Sequence, residues 1–314
     1  MIADKPVRVL VLGGTGFIGK ALVRALAAEP DIEVSWTARP QTDVSDIEGV
    51  APPVTMEDID ALDLEVIRGH DVIIDMVSRG RGRLVNSRDV LVRVRGHCRL
   101  IDELINREFH GSFVFLSSGG TVYGIDPDGP CHEDMPLAPF NDYGLEKAMV
   151  EMHLGAAART GMKVSMLRVA NAYGEGQAMK PGFGVIPAMI GAMKSGQPFK
   201  VYGSGESERD YVHVDDIVRA ILLAIRSDGV GPVNIGAGQG TSVRGLLSLF
   251  AELSGAPLPI EAVPVFSAEP KSIVLDINRA RDRLGWTPSV ELKDGIVRLL
   301  AQEGLLRPVH RLLL

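Results

Sequence analysis

The sequence predicts an α/β chain organised on a doubly wound parallel sheet, with a smaller C-terminal lobe for a second ligand. Three observations predict it. Val9-Leu10-Val11-Leu12 is apolar without alternation, the pattern of a strand buried on both faces. Gly14, Gly16 and Gly19 follow in G-x-G-x-x-G spacing, and Phe17, Ile18, Ala21, Leu22, Ala25 and Leu26 then mark one face of a helix. Beyond them, strand-like runs and helical stripes alternate, the order that builds a parallel sheet covered on both faces.

The first strand, turn and helix carry a phosphate-binding expectation. Gly14 allows the tight turn, Gly16 lets a pyrophosphate approach the backbone, and Gly19 lets the helix pack on the strand. Gly13, Phe17 and Ile18 complete the loop, and the helix N-terminus offers unpaired N–H groups to an anion. Ile32 to Thr37 reads as the second strand. At its end an acidic residue would hold ribose hydroxyls, but Ala38 and Arg39 stand there, which leans towards NADP over NAD. A plain solvated Arg39 is the alternative.

Pro52 to Ile59 holds a short third strand, with Asp58 at its end. Asp71 to Val77 is another buried strand, and Asp75 inside it is either a buried carboxylate that needs donors or a group facing the cofactor. Arg79, Arg81, Arg83 and Arg88 crowd the next loop. Leu91, Val94, Cys98, Ile101, Leu104 and Ile105 mark a helix face, and Phe113 to Leu116 the next strand. With 314 residues the chain is long for one core. The expected division is a dinucleotide-binding domain over 1–173, rejoined by part of 205–240, and a substrate lobe over 174–314.

Composition narrows the partners. A net charge of −7 argues against nucleic acid. No apolar run is long enough to span a bilayer, and no signal peptide is recognisable, so a cytoplasmic protein is expected. Cys98 and Cys131 stand too far apart in sequence to suggest a zinc site or redox pair, and no metal is expected.

The chemistry lies beyond the Phe113 strand. Ser117-Ser118-Gly119-Gly120-Thr121-Val122-Tyr123-Gly124 leaves its carboxyl end, where ligands of such sheets bind. Tyr143-Gly-Leu-Glu-Lys147 opens a helix, and residues four apart share a face. A free phenol is a poor base at neutral pH, but a neighbouring ammonium favours phenolate. Tyr143 thus becomes a candidate acid/base, with a hydroxyl from 117–121 to hydrogen-bond the reacting oxygen.

The order of these motifs resembles the extended short-chain dehydrogenase/reductases of the NAD-dependent epimerase/dehydratase family, in its nucleotide-sugar, UDP-glucose 4-epimerase-like branch. Gly13–Gly19 is similar to that family's cofactor loop and Tyr143 with Lys147 to its catalytic pair. Arg168-Val-Ala-Asn-Ala-Tyr-Gly174, Arg209-Asp-Tyr-Val-His-Val-Asp-Asp216, Gly231–Gly236 and Leu284–Pro288 resemble its later segments in order. The resemblance implies a Rossmann sheet and a nucleoside-diphosphate sugar, UDP- or dTDP-linked, met by Asn171, Lys200 and Arg209. It also implies a cofactor held by the glycine loop with Asp58, Ser117 and Lys147, and a homodimer. The implied reaction is C4 epimerisation by transient oxidation. A 4-ketoreductase and a non-catalytic cofactor-binding protein are the alternatives.

Three departures stand out. Gly119 occupies the position of the family's usual hydroxyl residue, so Thr121 first and Ser118 second are the expected replacements. Asp75-Met-Val-Ser78 replaces the usual His-Leu-Ala-Ala, and Ala38-Arg39 stands where NAD-using relatives carry an acid. Thr121 is ranked first on the premise that the backbone stays extended past Gly119.

Overall fold

The computed structural model describes residues 5–47, 49–78, 87–179, 184–265 and 272–307. Arg79, Arg81 and Arg83, and the side chain of Arg88, lie outside the described residues.

Seven parallel strands form the central sheet. In chain order they begin with β1 (Val7–Leu12), β2 (Ile32–Ala38), β3 (Val54–Thr55), β4 (Val72–Asp75), β5 (Ser112–Ser118) and β6 (Lys163–Val169). After β7 (Asn171–Tyr173), β8 (Phe199–Tyr202) and β9 (Glu208–His213), the chain returns to the sheet as β10 (Gly231–Ile235), beside β6. The spatial order is β10-β6-β5-β4-β1-β2-β3, and every pair is parallel.

Alternation along each strand sorts side chains between two cores. Val72, Ile74, Val114 and Leu116 face α1 (Phe17–Ala27) and α5 (Val214–Ile225), while Ile73, Phe113 and Phe115 face α2 (Ser87–Asn106) and α3 (Asp142–Ala157). The buried face of α2 is Val90, Val94, His97, Leu100, Ile101 and Leu104. Leu91, expected on that face, is 57% exposed, because the true stripe runs one residue earlier.

A third core joins α4 (Val185–Ser195), α6 (Val243–Ser254) and α8 (Leu292–Gln302) through Ile186, Met189, Leu246, Phe250 and Leu300. Beside it β9 pairs with β7, with β11 (Gly240–Ser242) and with β13 (Ser272–Ile273), and β8 pairs with β12 (Ile260–Val263). Helix α7 (Asn278–Leu284) lies against β10. No helix among the described residues is long and apolar enough to cross a membrane. Because the central sheet is wholly parallel, the loops after β1, β4 and β5 open on one edge, and the candidate site is built there.

Candidate active site

The glycine loop comes first. Gly13, with φ of +89°, makes the tight turn that was expected of Gly14. Gly14 instead gives close packing: a Cβ there would lie 2.8 Å from the Trp36 ring. A Cβ on Gly19 would lie 2.3 Å from the Gly13 carbonyl oxygen, so loop and helix can meet there only because residue 19 is glycine. Gly16 is open, with one contact at 3.4 Å, and it starts α1 without a side-chain cap or an acidic residue in the first turn. The N–H groups of that turn, which includes Phe17 and Ile18, are therefore left for an anion, and the loop fits a dinucleotide pyrophosphate. Nearby, Ala38 is buried and Arg39 exposed. Asp58 caps a short 3₁₀ helix through the Ile59 N–H at 2.8 Å.

Tyr143 and Lys147 stand on the first turns of α3. Asn141 caps that helix by accepting the Gly144 N–H at 2.7 Å. Tyr143 is half-buried and Lys147 buried at 1% exposure. The Lys147 ammonium lies 5.8 Å from the Tyr143 ring centre and 4.5 Å from that of Phe115, and it donates to the Val77 carbonyl at 3.3 Å. Phe115 and Val77 thus hold the cation under the tyrosine.

The hydroxyl residues do not lie along an extended chain. Strand β5 ends at Ser118, whose carbonyl accepts the N–H groups of both Thr121 and Val122 at 3.3 Å, so the backbone turns at once. The premise for ranking Thr121 fails, yet the turn itself carries Thr121 against Gly144, beside Tyr143. Thr121 Oγ1 is buried with no hydrogen-bond partner among the described residues. Gly119 could not carry a side chain without a shift: a Cβ would lie 2.6 Å from Leu275 and 2.9 Å from the Arg168 carbonyl. Ser117, expected at the cofactor, donates its hydroxyl to Glu151 beneath α3, so only its backbone remains for that role.

Asp75 follows the first of its two expectations. It is fully buried, with Oδ2 2.6 Å from His97 Nδ1 and Oδ1 accepting the Val77 N–H at 3.0 Å. Burial pushes its carboxyl up; His97 and the Lys147 ammonium outweigh this and hold it below the usual carboxylate range.

Gly120 links this end to a cavity: a Cβ there would lie 3.8 Å from Asn171 Nδ2, and Asn171 lines the cavity. The cavity measures about 900 Å³. Its floor is apolar, with Ile186, Phe199, Tyr211 and Val243, and its only charged lining residues among the described ones are Lys200 and Arg209. Asn171 donates to the Asp210 carbonyl at 2.9 Å, and Arg209 to the Glu208 carbonyl at 2.7 Å. The acids near Arg209 in the sequence have other partners. Asp210 accepts backbone N–H groups of Ala237, Gly238 and Leu275, Asp215 pairs with Arg298, and Asp216 with Arg219. No cluster of three or more metal-ligating side chains occurs among the described residues.

Sequence reasoning missed His97, Glu146, Glu151 and Leu275. The first had a signal: one imidazole inside an apolar helix stripe, opposite a strand that carries an unexplained acid. Leu275 had none, because its place beside Gly119 depends on a late segment crossing back over β6.

Comparison with known proteins places the chain among relatives of known family. The model of the family described as "NAD dependent epimerase/dehydratase family" matches residues 9–236. The chain is 31% identical over 313 residues to a dTDP-4-dehydro-6-deoxyglucose reductase of Escherichia coli, covering 93% of this chain and 96% of that one. It is 32% identical over 303 residues to a putative UDP-glucose 4-epimerase of Methanocaldococcus jannaschii, covering 93% and 97%. The solved UDP-glucose 4-epimerase of Thermotoga maritima with UDP-glucose superposes with a TM-score of 0.81 at 29% identity, over 93% of this chain and 96% of that one.

Proposed function

The chain belongs to the NAD dependent epimerase/dehydratase family, and from that premise we propose that it is a nucleotide-sugar 4-epimerase that works by transient oxidation at C4. The observation that carries the substrate class is the cavity, whose charged lining residues among the described ones are two cations and no acid. That charge balance suits a diphosphate, and the apolar floor suits a nucleoside beside it. UDP and dTDP both satisfy these walls.

NAD, when bound, would supply reversible hydride acceptance; the loop Gly13, Gly14, Gly16, Phe17, Ile18 and Gly19 would hold it, with Asp58 and Lys147. The protein's own groups do the rest. Tyr143 takes the proton of the C4 hydroxyl and later returns it. Lys147, fixed on the Val77 carbonyl, offsets the negative charge that the phenolate oxygen carries before it takes that proton and after it gives it back. Thr121 Oγ1, which has no hydrogen-bond partner among the described residues, donates to the C4 oxygen as charge builds there, and Ser118 is the second candidate. Arg209, Lys200 and Asn171 keep the nucleoside diphosphate anchored while the sugar turns over. The working form is a homodimer: Leu91, Leu145 and Met152 leave apolar surface exposed on the packed helices α2 and α3.

NAD is the cofactor favoured by the family's description. The NADP lean from sequence rests on Ala38, where an acid would stand, and on Arg39 after it. A second reading keeps that residue: a 4-ketoreductase using exchangeable NADPH, favoured by the exposed Arg39 and by the similarity to a reductase.

The test is incubation of the purified protein with UDP-glucose, UDP-galactose and their dTDP counterparts, without added cofactor, followed by chromatography of the nucleotide sugars. Interconversion supports the epimerase. NADPH oxidation dependent on a nucleotide 4-keto sugar, with no interconversion, supports the reductase. Neither activity, with the dinucleotide still bound, would return the chain to a binding role.

A further inference from the structure

Beneath Lys147 lies a row of charged and ionisable side chains that the reaction above does not use. Asp75 is 0% exposed, His97 1%, and Glu146 1%. His97 Nδ1 sits 2.6 Å from Asp75 Oδ2, and its Nε2 3.9 Å from Glu146 Oε1. Arg93 pairs with the other Glu146 oxygen at the helix surface, and Oε1 itself has no hydrogen-bond partner among the described residues. The row runs from α2 across to α3 and is walled by Phe115, which meets the His97 ring edge-on at 5.9 Å and the Lys147 ammonium at 4.5 Å.

Such a cluster is poor value as a stabiliser. Buried ion pairs are commonly no better than packed hydrophobic residues of like volume. Its neighbours are a wholly apolar core of Ile73, Val94, Phe113, Val150 and Leu154, which could be extended through it. The geometry instead points at the acid/base pair. Asp75 Oδ1 accepts the Val77 N–H, and the Val77 carbonyl accepts from Lys147. One carboxylate therefore fixes the residue that holds the ammonium and supplies its counter-charge.

We propose that Asp75 and His97 are positioning residues for Lys147. The carboxylate aims the ammonium through Val77, and the imidazole locks the carboxylate. This rests on the reading of Tyr143 and Lys147 as the acid/base pair. It goes beyond that reading by assigning the origin of the cation's placement to the Asp75 departure in β4 and its partner on α2.

Three measurements test it. Asp75→Asn keeps the shape and removes the charge; kcat should fall on the order of 10- to 100-fold while the KM for the nucleotide sugar stays within about twofold. His97→Asn, which can still donate to Asp75, should keep most of kcat, whereas His97→Ala should match the Asp75→Asn loss. The third is a double-mutant cycle read by melting temperature, which needs no substrate. Lys147→Met should lower the melting temperature by leaving Asp75 without its cation, and adding Asp75→Asn should recover much of that loss. Additive losses, or equal behaviour of His97→Asn and His97→Ala, would overturn the proposal. If the wild-type protein turns over no nucleotide sugar, the functional reading fails, and the melting cycle alone still decides whether Asp75 and Lys147 are coupled.

Discussion

Two buried carboxylates stand at opposite ends of the site, and they are held in opposite ways. Asp75, under the acid/base pair, meets an imidazole and the Val77 N–H with an ammonium nearby, and is held below the usual carboxylate range against its burial. Asp210, behind the cavity, is equally buried but among the described residues accepts from backbone N–H groups alone, and burial pushes it up to about 6. The difference extends to the regions around them. At the acid/base end the charges are paired, shielded and fixed: Lys147 is 1% exposed. At the cavity end the side chain of Lys200 is 58% exposed, and Glu261 stands 3.9 Å away. Charges that act on a reacting atom need a fixed place before the reaction starts, and burial with partners provides it. Charges that grip a ligand need to exchange water for phosphate, and exposure provides that. Substitutions at the first end should therefore change kcat and those at the second KM.

The largest expected effect is at Tyr143. Tyr143→Phe removes the acid/base oxygen and keeps the ring that packs near Lys147, so kcat should fall on the order of 10³-fold with the nucleotide sugar still bound. Calorimetric binding alongside steady-state rates checks both halves. A large loss of binding would mean that this end also grips the ligand, and the division between the ends would break.

Thr121→Val comes next. It replaces the unpartnered hydroxyl by a methyl of equal size, and kcat should fall on the order of 10²-fold, as for loss of one donor to a developing oxyanion. Ser118→Ala should be milder. The reverse order would move the donor one turn back, to the end of β5.

Much of this was legible in sequence, and the limits have physical causes. Buried parallel strands carry an unmistakable apolar run, so β1, β4 and β5 could be read, and the glycine loop declared itself by context. The roles of Gly13 and Gly14 were off by one because φ is a property of the folded turn, not of glycine spacing. Thr121 reached Gly144 for a different reason from the one expected: a turn at Ser118, which two successive glycines permit but do not announce. Asp75 was visible as an anomaly, but its partner 22 residues on was not, since only the packing of α2 on β4 makes His97 its neighbour. Leu275 beside Gly119 was beyond reach, because it depends on a contact across about half of the chain.

At the cavity end the effect should be smaller and of another kind. Arg209→Ala removes a charge-assisted donor to phosphate, so KM for the nucleotide sugar should rise about tenfold or somewhat more, with kcat little changed. Dinucleotide affinity, measured separately, should stay the same. A fall in melting temperature with an unchanged KM would instead make Arg209 part of the scaffold around β9.

An effect on stability rather than on turnover sharpens the contrast between the two acids. The Asp210 carboxyl is raised from its ordinary 3.8 to about 6, chiefly by burial, with the N–H groups of Ala237, Leu275 and Gly238 opposing the rise. An acid raised on folding binds its proton more tightly in the native state, so between those values the folded chain holds more protons than the unfolded one. Stability must then fall as pH rises from about 4 to 6 and be flat above, by an amount of about 3 kcal/mol at most. Other groups titrate in the same range, so the comparison variant matters. Asp210→Asn cannot titrate, and subtracting its urea-unfolding curve from that of the wild type isolates the carboxyl, whatever constant penalty the amide adds. The difference should decline between pH 4 and 6 and level off by pH 7. A difference that rises with pH would mean that three backbone donors outweigh burial. Asp210 would then behave as Asp75 does without needing a cation, and the two ends of the site would differ in exposure alone.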